Sequence, residues 1–219
     1  MVESNINIPF EQIINEGVEL SKRLFQFSLD LSRKIPKHSS IDEKEDNRRA
    51  VLKGFLISAA QLSGQIIEAV VRRHLSLAII GSRTLLEFSI DANYIFDNPN
   101  HKNDLTWVDT LCKDLFDRTN SFVMPKSKLG TTSFRERANE INRLDLYEKN
   151  YASLCDYSHL MLRHPFLNSP QTLEKLSIGT ISQSLCNLVG VIDSVVVFQN
   201  FKWDENLLKE VLAFRDRYE

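Results

Sequence analysis

The chain has 219 residues, 42% of them hydrophobic and 26% charged, with a formal net charge of −2. That balance is ordinary for a globular protein, and a chain of this length buries roughly 70–75% of its unfolded surface. It excludes a global basic field that would gather nucleic acid or an anionic membrane, so only a local patch could serve such partners. Cys112, Cys155 and Cys186 are far apart and form no CxxC pair. Neither a zinc knuckle nor a disulfide framework is expected, and the cysteines read as small buried groups in a reducing cytoplasm. The N-terminus has no basic flank before an apolar core, and the greasiest tract, Leu188 to Phe198, is interrupted by Asp193. The sequence therefore predicts neither a signal peptide nor a membrane span.

Residues 1–9 are expected to be flexible. Phe10 to Ile35 carries a helical apolar set, Ile13, Ile14, Val18, Leu20, Leu24, Phe27 and Leu31, and Pro36 stops it. Lys37 to Asp46 is short, charged and serine-containing, which suits an exposed loop. From about Asn47 to Arg73 the close spacing returns, and it continues into Leu75 to Phe96. One helix over both would be about 75 Å long at 1.5 Å per residue, too long for a compact domain. A tight turn near Arg72 to Ser76 is therefore predicted, although no Gly or Pro marks it.

Leu75 to Phe96 is apolar over most of its circumference, through Leu77, Leu85, Leu86, Phe88, Ala92, Ile95 and Phe96. Such a helix belongs in the middle of a domain. One stripe interrupts it: Arg83, Glu87 and Asp91 at i, i+4 and i+8, with Tyr94 on the same line. Those charges are either paired inside the protein or line a cleft. Asp97 to Asn100 ends the helix. Asp104 to about Ser121 follows as another, with Leu105, Trp107, Val108, Leu111 and Leu115 inward. Ser133-Phe-Arg-Glu136 fits a capping box and leads into a helix from Arg143 to Leu160. Arg163 to Pro170 reads as a loop. Thr180 to about Asn200 is a buried helix rich in Val and Ile, and Trp203-Asp204 caps a last one from Glu205 to Tyr218. The expected fold is an all-α, single-domain antiparallel bundle of about seven helices. Residues 10–165 form the main bundle and 171–219 a helical pair packed on it. The Thr180–Asn200 and terminal helices offer apolar surface for a homodimer.

Residues 143–165 hold the second constellation. Tyr147, Tyr151 and Cys155 recur at helical spacing, and His159 follows one turn later, so Tyr151, Cys155 and His159 share a face in a regular helix. His164 lies just beyond it. The histidines are candidate general acids or bases, or buried hydrogen-bonded groups. Buried polar groups need partners, so Arg83 and Glu87 are expected opposite Tyr151 and His159. Asp156-x-x-His159 has half the spacing of a two-metal carboxylate bundle, but no second copy exists. No metal and no cofactor are expected. No GxSxG elbow and no glycine-rich phosphate loop occur.

Ser82-Arg-Thr-Leu-Leu-Glu87 after a long amphipathic helix, with Tyr147, Tyr151 and the run Tyr157-Ser-His159 later, resembles a family of uncharacterised all-helical bacterial proteins. In that family an Arg-Ser/Thr-Leu-Leu-Glu helix pairs with a Tyr-rich helix ending in Tyr-Ser/Val-His. The resemblance spans about residues 45–165. It implies a helical bundle with Arg83, Glu87, Tyr151 and His159 as shared polar positions. More distantly the architecture resembles HEPN-type helical domains, which often cleave RNA in bacterial defence. Their Arg-x4–6-His mark is met here by Arg33-Lys-Ile-Pro-Lys-His38.

Two functional readings follow. In one, the chain is a non-catalytic, cytoplasmic binding module for a protein partner or small ligand, with no membrane role, in defence or stress. Its binding residues are Arg83, Glu87, Asp91, Tyr94, Tyr151 and His159. In the other it is a metal-independent, RNA-directed effector. His159 or His164 then moves the proton and Arg83 stabilises phosphate charge.

Overall fold

A computed structural model describes residues 9–36, 43–98, 100–101, 104–120, 132–151 and 169–218. The described elements are α1 (Phe10–Lys34), α2 (Glu43–Val71), α3 (Leu75–Phe96), α4 (Leu105–Asn120), α5 (Phe134–Glu140), α6 (Leu144–Leu146), a π turn (Tyr147–Tyr151), α7 (Pro170–Gln199) and α8 (Glu205–Tyr218). The fold is an all-α bundle, and no strand occurs among the described residues.

The predicted turn after α2 is present, built without glycine. Arg73 sits in the left-handed region at φ 61°. Its N–H donates to the Val70 carbonyl, and the His74 N–H donates to that of Ala69. This is a Schellman ending, which satisfies two carbonyls left over by the helix. Asn142 and Asn200 end α5 and α7 in the same way. Asn tolerates this conformation through its short polar side chain, whereas Arg has no such compensation.

α7 begins at Pro170, ten residues before the predicted start at Thr180. Ser169 caps it by accepting from the Thr172 N–H at 3.2 Å, and Pro170 occupies the first helical position, where no amide hydrogen is needed. The proline that reads as a loop residue is thus part of a helix start. α2 likewise begins at Glu43, earlier than predicted. α7 is more than an addition to a finished bundle. It packs along α1, α2, α3 and α8, and Ile181, Leu185, Leu188, Val191, Ile192 and Val195 are all fully buried. Most of the Val and Ile face of α7 is therefore inside the protein, with Val197 left 50% exposed.

Small side chains let these helices approach closely. A Cβ on Gly190 would lie 2.3 Å from the Ser89 hydroxyl, one on Gly81 2.7 Å from Ile66, and one on Gly17 2.5 Å from Ile181. Polar groups between the helices are partly paired: Ser63 meets Ser184 at 3.0 Å, and Asn93 donates to the backbone carbonyls of Ser89 and Gly190, whereas the buried Ser82 hydroxyl has no hydrogen-bond partner among the described residues. α2 and α7 are long and apolar enough to cross a membrane, by length and composition alone. The outward face of α2, however, is Gly54, Ser58, Gln61, Gln65 and Glu68. α2 and α4 are joined by Arg48 and Asp109, an ion pair at 2.6 Å whose geometry is off the line of a hydrogen bond. Trp203 stacks on Phe27 and donates to Asp193 at 3.0 Å, which explains an acid inside the Val/Ile run. Asp204 caps α8 as predicted, accepting from the amides of Asn206 and Leu207.

These crossings predict opposite signs for two similar substitutions. Gly17→Ala forces the added methyl into Ile181 and should cost about 1–3 kcal/mol. Gly54→Ala, where an added Cβ meets nothing within 4 Å, should gain up to about 1 kcal/mol from helix propensity. Urea denaturation of both variants measures this. Equal effects would show that α1 and α7 are not in close contact.

Candidate functional site

The polar stripe of α3 divides by depth. At its C-terminal end Tyr94 is buried, edge-on to Trp107 with ring centroids 5.5 Å apart. Burial first, and then the charge of Glu140, raises the pKa of its phenol. One turn earlier, Asp91 accepts from Arg137 Nε at 2.8 Å, with only 18% and 12% of the two side chains exposed. Arg137 also donates to the Thr132 carbonyl at 2.6 Å and lies over the Phe134 ring. Asn98, fully buried past the end of α3, donates to Glu140 at 3.4 Å. These contacts hold α5 against α3.

Arg83 and Glu87 lie further out. Their contact is 3.4 Å, and 36% and 37% of the side chains are exposed. The expectation of a buried Arg83–Glu87 pair is thereby corrected: on α3 the buried pair is Asp91 with Arg137. The expected pairing of Arg83 with Tyr151 is present. Arg83 donates to the Tyr151 hydroxyl at 2.7 Å, and its guanidinium lies 4.9 Å from the ring centroid.

Tyr151 owes its place to a local irregularity. Residues 147–151 wind as a π turn, which is wider than an α turn and is found often at functional sites. The wider winding brings the fourth-next residue almost directly over the first. Tyr147 and Tyr151 accordingly stack, with centroids 5.0 Å apart and planes 19° apart, and Phe134 closes the cluster at 4.8 Å from Tyr151. A regular helix from Arg143 is therefore corrected for residues 147–151. His159 and His164, with Cys155 and Asp156, lie outside the described residues, as does the face they were expected to share with Tyr151.

Arg137, Thr132, Phe134 and Glu140 were missed by sequence reading. The capping box before α5 is present in full, Ser133 accepting from the Glu136 amide and Glu136 from that of Ser133. Of the α5 residues only Ala138 is buried, with Ile141 just beyond it. A short helix with so little apolar surface needs a polar anchor, and Arg137 beside Ala138 was the available signal. Leu77 and Leu105 are also corrected: they are 63% and 48% exposed, not inward.

Other chemistry is sparse. Burial, reinforced by Asp109 and opposed by Arg48, pushes the Cys112 thiol up to about 12, so it stays protonated and unreactive. Arg33 of the Arg-x4–6-His match pairs with Asp30 on the surface, and His38 is outside the described residues. No group of three metal-ligating side chains converges among the described residues. Comparison with protein families, with curated proteins and with solved structures finds no match.

Asp91 titrates at about 6, raised from the usual 3.8, because desolvation outweighs the attraction of Arg137 and Glu87 adds repulsion. A raised folded value means its contribution to stability is complete below the unfolded value and is lost as pH rises through about 6. Calorimetry between pH 5 and 7 should show the parent losing stability with rising pH relative to Asp91→Asn. A pH-independent difference would mean Asp91 is solvated.

Arg137→Ala leaves that carboxylate buried without its cation and should cost roughly 3 kcal/mol, whereas Glu87→Ala should cost under about 1 kcal/mol. The ranking is read from chemical denaturation midpoints, and the reverse order would refute the division by depth.

Proposed function

We propose that this chain is a non-catalytic helical binding module whose recognition site is Arg83, Glu87 and the stacked Tyr147–Tyr151 pair. One observation carries the reading: Arg83 and Glu87 keep over a third of their surface open, while their orientation is set by Tyr151 and by the helix anchored through Asp91. Tyr and Arg in a preorganised, partly open cluster are the residue types that dominate binding energy at protein interfaces. The partner class is accordingly a protein, or a small ligand with an anionic group for Arg83 and a flat apolar part for the tyrosines. Asp91 and Tyr94 support the site from below.

The reading includes a cytoplasmic location and a setting in bacterial defence or stress, the latter from the family resemblance alone. It includes a homodimer as well, for which the exposed Leu77 and Ile80 on α3 and Val197 on α7 offer apolar surface. His159 and His164 keep their place as the test of the competing ribonuclease reading.

Two measurements decide. Arg83→Glu and Tyr151→Ala should each weaken binding of a copurifying, stoichiometric partner by about tenfold or more, a loss of at least about 1.4 kcal/mol, without lowering the cooperativity of unfolding. Purified protein incubated with cellular RNA should leave it intact, with or without chelator. Cleavage by the parent that a His159→Ala, His164→Ala double variant loses would replace the binding module with a nuclease.

A further inference from the structure

A second feature lies away from the α3 stripe. α1 and α2 part along a groove of about 520 Å³ whose apolar lining is Val18, Phe25, Gly64, Ile67 and Val71, with Ser21, one carboxylate, Glu68, and two cations, Lys22 from one wall and Arg72 from the other. Ligand clefts usually enclose about 300–1,000 Å³, so the volume suits a small molecule. Its floor is apolar, and Val71 leaves 52% of its surface in water there.

Gly64 is the telling residue. Glycine inside a helix costs up to about 1 kcal/mol relative to alanine, a cost that a close helix contact can offset. Gly17, Gly81 and Gly190 have one, since a neighbouring helix side chain occupies the space of a Cβ. Around Gly64 nothing lies within 4 Å of that position. Packing does not require this glycine; its absent side chain is part of the groove's depth. Gly54 and Gly179 are similarly open, but neither lines this groove.

The charge at the rim selects the ligand. Arg72 begins the exposed run Arg72-Arg73-His74 at the α2–α3 turn, so that end of the groove keeps a surplus of positive charge even with Glu68 beside Arg72. Lys22 and Arg72 each pair with a carboxylate three or four residues earlier in the chain, Glu19 at 3.0 Å and Glu68 at 2.6 Å. All four side chains are at least 60% exposed, and such pairs are worth only about 0–1 kcal/mol, so a ligand carboxylate exchanges with them at little cost. An aliphatic chain, by contrast, gains about 0.8 kcal/mol for each methylene buried.

We propose that the α1–α2 groove binds a free single-chain carboxylate amphiphile, its chain along Val18, Phe25, Gly64 and Ile67 and its carboxylate at Arg72 and Lys22. This site is independent of the reading given to Arg83 and Tyr151.

The test is titration of the full chain with monomeric decanoate, followed by calorimetry. Saturable binding at one site is expected, weaker by about tenfold in Arg72→Glu and Lys22→Glu. Gly64→Leu fills the groove without meeting another atom at its Cβ, and should abolish binding while circular dichroism and melting temperature stay at or above those of the parent. Val71→Asp is a second blocking variant, on an exposed position. Arg83→Ala should bind decanoate as the parent does. The proposal fails if decanoate does not saturate, or if decyltrimethylammonium binds equally well. It also fails if Gly64→Leu and Val71→Asp both bind at parental affinity. Binding to phosphatidylglycerol vesicles without binding of monomeric decanoate would overturn it too, and would assign the groove to a membrane surface.

Discussion

The close approach of α3 and α7 is the constraint on which the rest of the structure depends. Gly190 lies against Ser89, and Asn93 reaches across to the Gly190 carbonyl. A side chain on Gly190 would hold the two helices apart and open the interior packing around them. With α7 drawn in at this crossing, its Val and Ile side chains fill the centre, and α1 and α2 gather round it. On α3 the outer stripe is left for other work.

That stripe is one chemical pattern put to two uses by depth. Asp91 lies where water is excluded, so its charge is costly and it is held by Arg137 at 2.8 Å. Glu87 and Arg83, one and two turns away, remain in contact with water, where the same kind of pair contributes little to stability. The inner pair fixes α5, and α5 presents Phe134 to the stacked tyrosines. The outer residues are thereby oriented without being buried, which is the arrangement a recognition surface needs. The glycines divide in the same sense, some permitting helices to touch and one on α2 leaving a groove open.

Much of the architecture was legible in the sequence. Helical periodicity, the caps at Ser133 and Asp204, and the chain-length argument for a turn near Arg72 each rest on local chemistry within a few residues, and the structure bears them out. The Arg83–Tyr151 pairing was legible from the two polar stripes, although the burial expected to enforce it is not there, Arg83 being 36% exposed. The start of α7 was not, since Ser169-Pro170 is compatible with a loop and with a helix cap until the following residues are seen to pack.

What only tertiary structure decided is depth. Arg83, Glu87 and Asp91 are equivalent by helical spacing, and nothing local distinguishes them. The distinction comes from Arg137, 46 residues beyond Asp91, and from the neighbours that exclude water around that pair alone. The π turn is decided likewise: Tyr147 and Tyr151 follow α-helical spacing in sequence, yet the wider winding stacks them where Phe134 and Arg83 meet them from other elements. Sequence determined which residues are polar and which helix carries them. The field and the solvent each one meets are set by atoms distant in the chain, and those two quantities separate a structural clamp from an open site.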